Sequence, residues 1–361
     1  LLVVCSLQAG AQFTDRYWTF GDSAAIDFVN PSNPQTGLSS LRSRGSCVSI
    51  CDSAGQLLFY GGTPNTSLWP QTIVQELGLL FNKNNLLMEN GDTLVGGAWY
   101  QEMVIVPWPN HPGLFYIFHV GITSTTDPGL YYSMVDLSYN GGLGKVIQKN
   151  VQLQNFPVND GLAAVKHGNG RDWWVVHKRY EPNVFTDEFY LYLVTASGVQ
   201  PQPIQFTGRP SKNNNLRIKF SPSGNKMAVH EAGNNLDIYD FDRCTGVLSN
   251  QTIVHDTSTI NVNCLYWSTE FSPDETKLYL TTIPYGNNDS ISCLIQFDLA
   301  APDIQASMDT IQAFTEPFIC GFVKLAPDSQ IYLSHMTIEE DCEFFYLYCD
   351  TTYYPEIMNL S

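Results

Sequence analysis

The chain has 361 residues, 43% hydrophobic, 13% aromatic and only 15% charged, so it is long enough to bury a large core and too apolar to stay disordered. Its 18 Lys plus Arg stand against 35 Asp plus Glu, and a formal charge of −17 spread without acidic runs argues against nucleic acid or anionic lipid as a partner. Abundant Gly (27), Pro (20), Tyr (19) and Phe (20) favour many short strands and tight turns, an all-β class.

The opening run LLVVCSLQAGAQ is apolar, then small, with Ala9-Gly10-Ala11 before Gln12 fitting a small-x-small cleavage rule. Residues 1–11 are therefore read as the remnant of an export signal, and 12–361 as one domain of a secreted protein. A lipid anchor on Cys5 is discounted because Val4 precedes it where a small residue is expected. No later segment approaches the roughly 20 apolar residues that cross a bilayer, so membrane insertion is not expected. Eight cysteines follow Cys5, none in CxxC and none with zinc-finger spacing. An oxidising compartment permits disulfides, but the count leaves connectivity open.

The first strand-like stretch, YWTFGDSAAIDFV (Tyr17 to Val29), carries no hairpin turn. A repeat follows: ICDSAGQLLFYG, WPNHPGLFYIFH, KHGNGRDWWVVH, KFSPSGNKMAVH, EFSPDETKLYLT and KLAPDSQIYLSH start at 50, 108, 166, 219, 270 and 324. In each, a polar turn joins two apolar runs, as a β-hairpin requires. Third strands follow in LYYSMVDL, EFYLYLV, LDIYDFD and SCLIQFDL, and a fourth is expected at Val247 to Val254. Four short strands per fifty-odd residues, repeated, predict a β-propeller. A sandwich would not repeat, and a β-helix would repeat at a shorter period. Six hairpins precede the last residue, Ser361, so the domain is read as C-terminally incomplete and seven-bladed when intact. Tyr17 to Val29 would supply the outer strands of a closing blade whose inner strands lie beyond Ser361.

FSPSGNKMAV, FSPDETKLYL and IYDFDRCTG resemble YVTN-type and lactonase-like propeller repeats and, more distantly, WD-repeat blades. YWTFGDSAAIDF, LMENG, QEMVIVPWP, VDLSYNGGLGKV, HGNGRDWWVV and LYLVTASGV resemble a family of secreted Bacteroidota propellers, often found in type IX-secreted surface proteins. The resemblance implies delivery to the outer surface of a Gram-negative bacterium and brings no catalytic residues to transfer.

The twelfth position of each repeat is Gly61, His119, His177, His230, Thr281 or His335. It ends the second strand, near one mouth of the channel. Three imidazoles in register, His119, His177 and His230, could hold a divalent metal or move protons near neutral pH. His335 follows its apolar run one residue late, and a one-residue slip reverses a strand's face. The first position adds Lys166, Lys219, Glu270 and Lys324. The three lysines and His335 are candidate ligand-binding groups for an anionic or carbonyl-bearing molecule, and Glu270 a candidate acid or base. Trp108, Trp174 and Tyr116 could stack on sugars. The plainer reading, in which each His caps a loop or pairs between blades and each Lys forms a solvated ion pair, is preferred. No GxSxG elbow or HExxH motif occurs. The sequence thus points to a non-enzymatic binding module for a glycan, a peptide or a neighbouring domain at the cell surface. The alternative is a lactonase- or lyase-like enzyme using the histidines with a metal.

Overall fold

The structure, a computed structural model, describes residues 15–64, 77–97, 101–121, 128–181, 183–211, 215–231, 235–255, 264–284, 291–315 and 318–337. The export-like residues 1–11 and the chain after 337 lie outside the described residues.

The repeat folds as antiparallel sheets whose strands follow one another in chain order. β6 (Met103–Pro107), β7 (Leu114–Gly121), β8 (Gly129–Asp136) and β9 (Lys145–Gln154) make one four-stranded blade. β15 (Leu216–Phe220), β16 (Lys226–Glu231), β17 (Asn235–Asp242) and β18 (Val247–His255) make another. β19 (Cys264–Phe271), β20 (Lys277–Pro284), β21 (Ser292–Asp298) and β22 (Asp309–Phe314) make a third. Between the first two lies a sheet of β10 (Val158–Lys166), β11 (Trp173–Arg179) and β12 (Thr186–Thr195), with β13 (Gly198–Pro201) and β14 (Gln205–Ser211) both pairing β12. The last described hairpin is β23 (Phe318–Leu325) with β24 (Ile331–Thr337).

The hairpin turns read from sequence form as expected. In SPSG the Gly224 N–H donates to the Ser221 carbonyl, and in SPDE and APDS Glu275 and Ser329 take the same place on Ser272 and Ala326. Gly224, Glu275 and Ser329 all sit at φ between 59 and 75°. One left-handed residue closes each turn, whatever its identity.

The N-terminal expectation needs correction. β1 (Tyr17–Phe20) and β2 (Asp22–Asp27) pair in order with β3 (Gln35–Cys51), a 17-residue strand whose first half pairs β2 and whose second half pairs β4 (Leu57–Pro64), followed by β5 (Leu79–Asn82). β3 thus serves two hairpins, one with β2 and one with β4, and joins the N-terminal strands to the sheet that follows them. β1 is also an inner strand: the Tyr17 carbonyl accepts from the Ser49 hydroxyl, and Trp18 and Thr19 line the central cavity. The stretch therefore does not lie on the outside of the ring.

Apolar clusters join each sheet to the next around the ring. Val106 and Phe118 pack with Leu162 and Val175; Trp174 and Val176 with Met227 and Phe241; Leu236 and Ile238 with Phe271 and Leu280. Trp18, Ile26 and Phe28 meet Tyr332 and Ala326, closing the ring by packing, with the Lys324–Asp15 ion pair beside it. Both faces of most sheets are thus covered, which accounts for the low charge content. Trp174 is 2% exposed and donates its indole N–H to the Arg243 carbonyl of the next blade.

Candidate functional site at the channel mouth

The inner strands surround a cavity of about 1200 Å³ at one mouth of the channel. Their register decides what faces it. Lys219 and Glu270 lie two residues after the strand partners of His230 and Thr281, the partners being Arg217 and Ser268. By the same count, β10 presents Ala164, since Leu162 is the partner of His177. Lys166 therefore sits two residues further out, beside Trp173, and does not share the position of Lys219 as the repeat suggested. Cys320 is the partner of His335, and the irregularity between Cys320 and Val323 carries the slip anticipated in the sequence. In the register of His230, β24 presents Ser334, whose hydroxyl accepts from the Phe322 N–H at 2.8 Å.

The cavity wall carries Lys166, Arg171, Lys219 and Lys324 with Asp15 and Asp52. Lys219 Nζ lies 2.6 Å from Glu270 Oε2, and Glu270, 1% exposed, also accepts the N–H groups of Phe271 and Leu325 at 3.0 and 2.8 Å. This carboxylate ties three successive sheets together. Lys324 Nζ pairs with Asp15 at 3.2 Å and lies 4.2 Å from the centre of the Trp18 ring. Arg171 pairs with Asp172 at 2.8 Å, and the guanidinium holds that carboxyl below its ordinary range. Among the described residues Lys166 has no ion-pair partner; its ammonium lies 5.4 Å from the Trp173 ring centre.

Trp108 lines the same cavity, with its indole N–H donated to the Thr195 carbonyl at 3.2 Å and the His111 ring stacked on it at 3.9 Å. The sequence named Trp108, Lys166, Lys219 and Lys324, and the structure brings all four to this wall. It missed Arg171 and Trp173 as wall residues, and it missed Gln101. The Gln101 amide reaches across the channel to both the carbonyl and the N–H of Ile218, at 2.7 and 2.9 Å. Nothing in its sequence context marks it.

The histidines behave otherwise. His119, His177 and His230 sit on β7, β11 and β16, each at most 1% exposed. His119 bridges the Val95 carbonyl and the Ser133 hydroxyl at 2.8 and 3.0 Å. His177 stacks on Tyr190 and Tyr192, and His230 Nδ1 meets the Thr269 hydroxyl at 3.2 Å. The three share no partner, and among the described residues no three His, Cys, Asp or Glu side chains are placed to hold a metal ion. The three rings have separate surroundings, each buried against its own partners. Burial pushes His119 and His177 down to about 4, and burial with the neighbouring Arg217 charge pushes His230 to about 3. All three are neutral at pH 7. The backbone of His335 is placed, but its side chain lies outside the described residues.

Among the described residues Cys47, Cys51, Cys244, Cys293 and Cys320 are free thiols. Cys51 is a buried hydrophobe as its repeat position suggested, with its thiol pushed up to about 11 by desolvation.

No family model matches the chain, and no curated protein matches it. Among solved structures it is similar to a candidate 6-phosphogluconolactonase from Bacteroides fragilis, at 9% identity and TM-score 0.54 over 91% of this chain and 92% of that one. It is also similar to a candidate 6-phosphogluconolactonase from Bacteroides uniformis, at 11% identity and TM-score 0.54 over 95% and 96%. At these identities the likeness is one of fold: a propeller like those of lactonase-like Bacteroides proteins.

Proposed function

We propose that this propeller is a non-enzymatic binding module that takes a glycan bearing acidic groups at its channel mouth, outside the cell. The observation that carries this reading is the composition of the 1200 Å³ cavity, where aromatic rings of Trp108 and Trp173 stand beside Lys166 and Arg171. Sugar rings stack on such faces, and a carboxylate on the sugar meets a cation that no acid neutralises. The neutral, enclosed histidines support binding over acid–base chemistry. The export-like Ala9-Gly10-Ala11 supports action at the cell surface.

The lactonase- or lyase-like alternative has one observation in its favour, the buried Glu270 carboxylate paired with Lys219, which lines the cavity. The test is a titration of the purified chain with oligogalacturonates, matched neutral oligosaccharides and acidic peptides. The reading expects saturable binding of the acidic sugar alone, weakened about tenfold or more in Lys166→Gln. Peptide binding would replace the glycan. Hydrolysis of a sugar lactone, lost in Glu270→Gln, would install the enzyme in its place.

A further inference from the structure

A second cavity of about 360 Å³ adjoins the first, and Trp18, Thr19, Gln101, Ile218, Lys219 and Lys324 are among the residues that line both. That space equals roughly a dozen waters at about 30 Å³ each. Its charged lining is Arg217, Lys219 and Lys324, of which Lys219 pairs with Glu270 and Lys324 with Asp15.

The lining also leaves hydrogen-bonding capacity unused. Trp18 Nε1, Thr19 Oγ1 and His230 Nε2 are buried and have no hydrogen-bond partner among the described residues, and all three residues line this chamber. An anion in the chamber would select the His230 tautomer that carries its proton on Nε2, with Nδ1 accepting from the Thr269 hydroxyl. Indole N–H, imidazole N–H, guanidinium and ammonium groups donate and cannot accept. A buried donor without a partner costs free energy, and the unpartnered donors of this lining are matched by a guest that carries acceptors.

We infer that the inner chamber is a binding site for a small oxyanion, a carboxylate or a phosphate, held by Arg217 with Trp18, Thr19 and His230. The Arg217 guanidinium lies on β15 directly across from His230 on β16, with the Trp267 and Phe322 rings 5.0 and 4.7 Å from it. These rings fix its plane, as recognition of a planar or tetrahedral oxyanion requires. The site is separate from the glycan reading, since it needs neither Trp108 nor Lys166.

The test uses the full chain with indole-¹⁵N-labelled tryptophan, titrated with sodium acetate and with inorganic phosphate against chloride at constant ionic strength. The inference expects a saturable rise in unfolding temperature with one of the two anions, because a ligand of the folded state alone stabilises it. It also expects a saturable shift of the Trp18 indole resonance, assigned by its loss in Trp18→Phe. Whichever anion saturates identifies the guest as carboxylate or phosphate. Thr19→Val and His230→Gln should each weaken the effect by about tenfold, whereas Lys149→Gln on the outer strand β9 should not. If a variant fails to fold, the wild-type Trp18 shift decides. Saturation by neither anion, or an unmoved Trp18 resonance, would overturn the inference.

Discussion

Acidification should unfold this protein well above the range in which carboxylates titrate. His119, His177 and His230 have ordinary values of 6.5 and folded values of about 4, 4 and 3. Between those limits the unfolded chain binds protons that the folded chain refuses, so stability is full above pH 6.5 and falls as the pH drops through that window. From pH 7 to pH 5 each histidine removes about 2 kcal/mol, on the order of 5 kcal/mol for the three. At roughly 2 °C per kcal/mol for a chain of this size, the unfolding temperature should fall on the order of 10 °C. Asp172, Asp240 and Asp298, held low by Arg171, by Asn250 with Lys226, and by Lys277, add their own loss only at lower pH. The assay is thermal unfolding across pH 5–8 for the wild type and His177→Gln. The variant should show about two-thirds of the wild-type pH dependence, whatever its starting stability. An unfolding temperature flat from pH 7 to 5, or imidazole resonances titrating near 6.5, would refute the account of these residues as enclosed and neutral.

Glu270→Gln should cost about 2 kcal/mol in urea unfolding, because it removes the charge from a carboxylate holding three donors while the Lys219 end stays partly solvated. A cost below about 0.5 kcal/mol, the ordinary surface value, would mean the carboxylate does not join the sheets. Gly62→Ala should cost about 3 kcal/mol, since its Cβ would overlap the Ser46 carbonyl, a backbone atom that cannot swing aside; unfolding midpoints that match the wild type would show β3 and β4 are further apart than described. Trp108→Ala should weaken acidic-glycan binding at least tenfold, about 1.4 kcal/mol, without moving the pH dependence, and isothermal titration of the two proteins checks it.

Much of the fold was legible because propeller blades are made of local hairpins. FSPSG and FSPDE specify their turns within five residues, and the third strands LYYSMVDL and LDIYDFD were placed almost to the residue by β-branched and aromatic patterning. The ring closure was not legible. It depends on β3 running through two hairpins and on Trp18, Phe28 and Tyr332 packing across about 300 residues of chain, which no local pattern encodes. For the site, Lys219 and Glu270 share the register the repeat gave them, each two residues after the strand partner of its twelfth position. The repeat register misjudged Lys166, since the turn of HGNGRD shifts the pairing of β10 and β11 by two residues. It also read the histidine register as a mouth feature. A strand position gives the direction of a side chain but not what adjacent strands lay over it: here Ser133 and Tyr190 come from the next strand of the same sheet and Thr269 from the next sheet.

The central claim is that the mouth binds and the buried histidines only support the sheets. The most direct measurement follows the Trp108 and Trp173 indole resonances and the three buried imidazoles in one titration with an acidic oligosaccharide. The account predicts saturable shifts of both indoles, with His119, His177 and His230 remaining neutral at pH 7. Indoles that do not respond, or imidazoles that gain a proton as ligand binds, would contradict it.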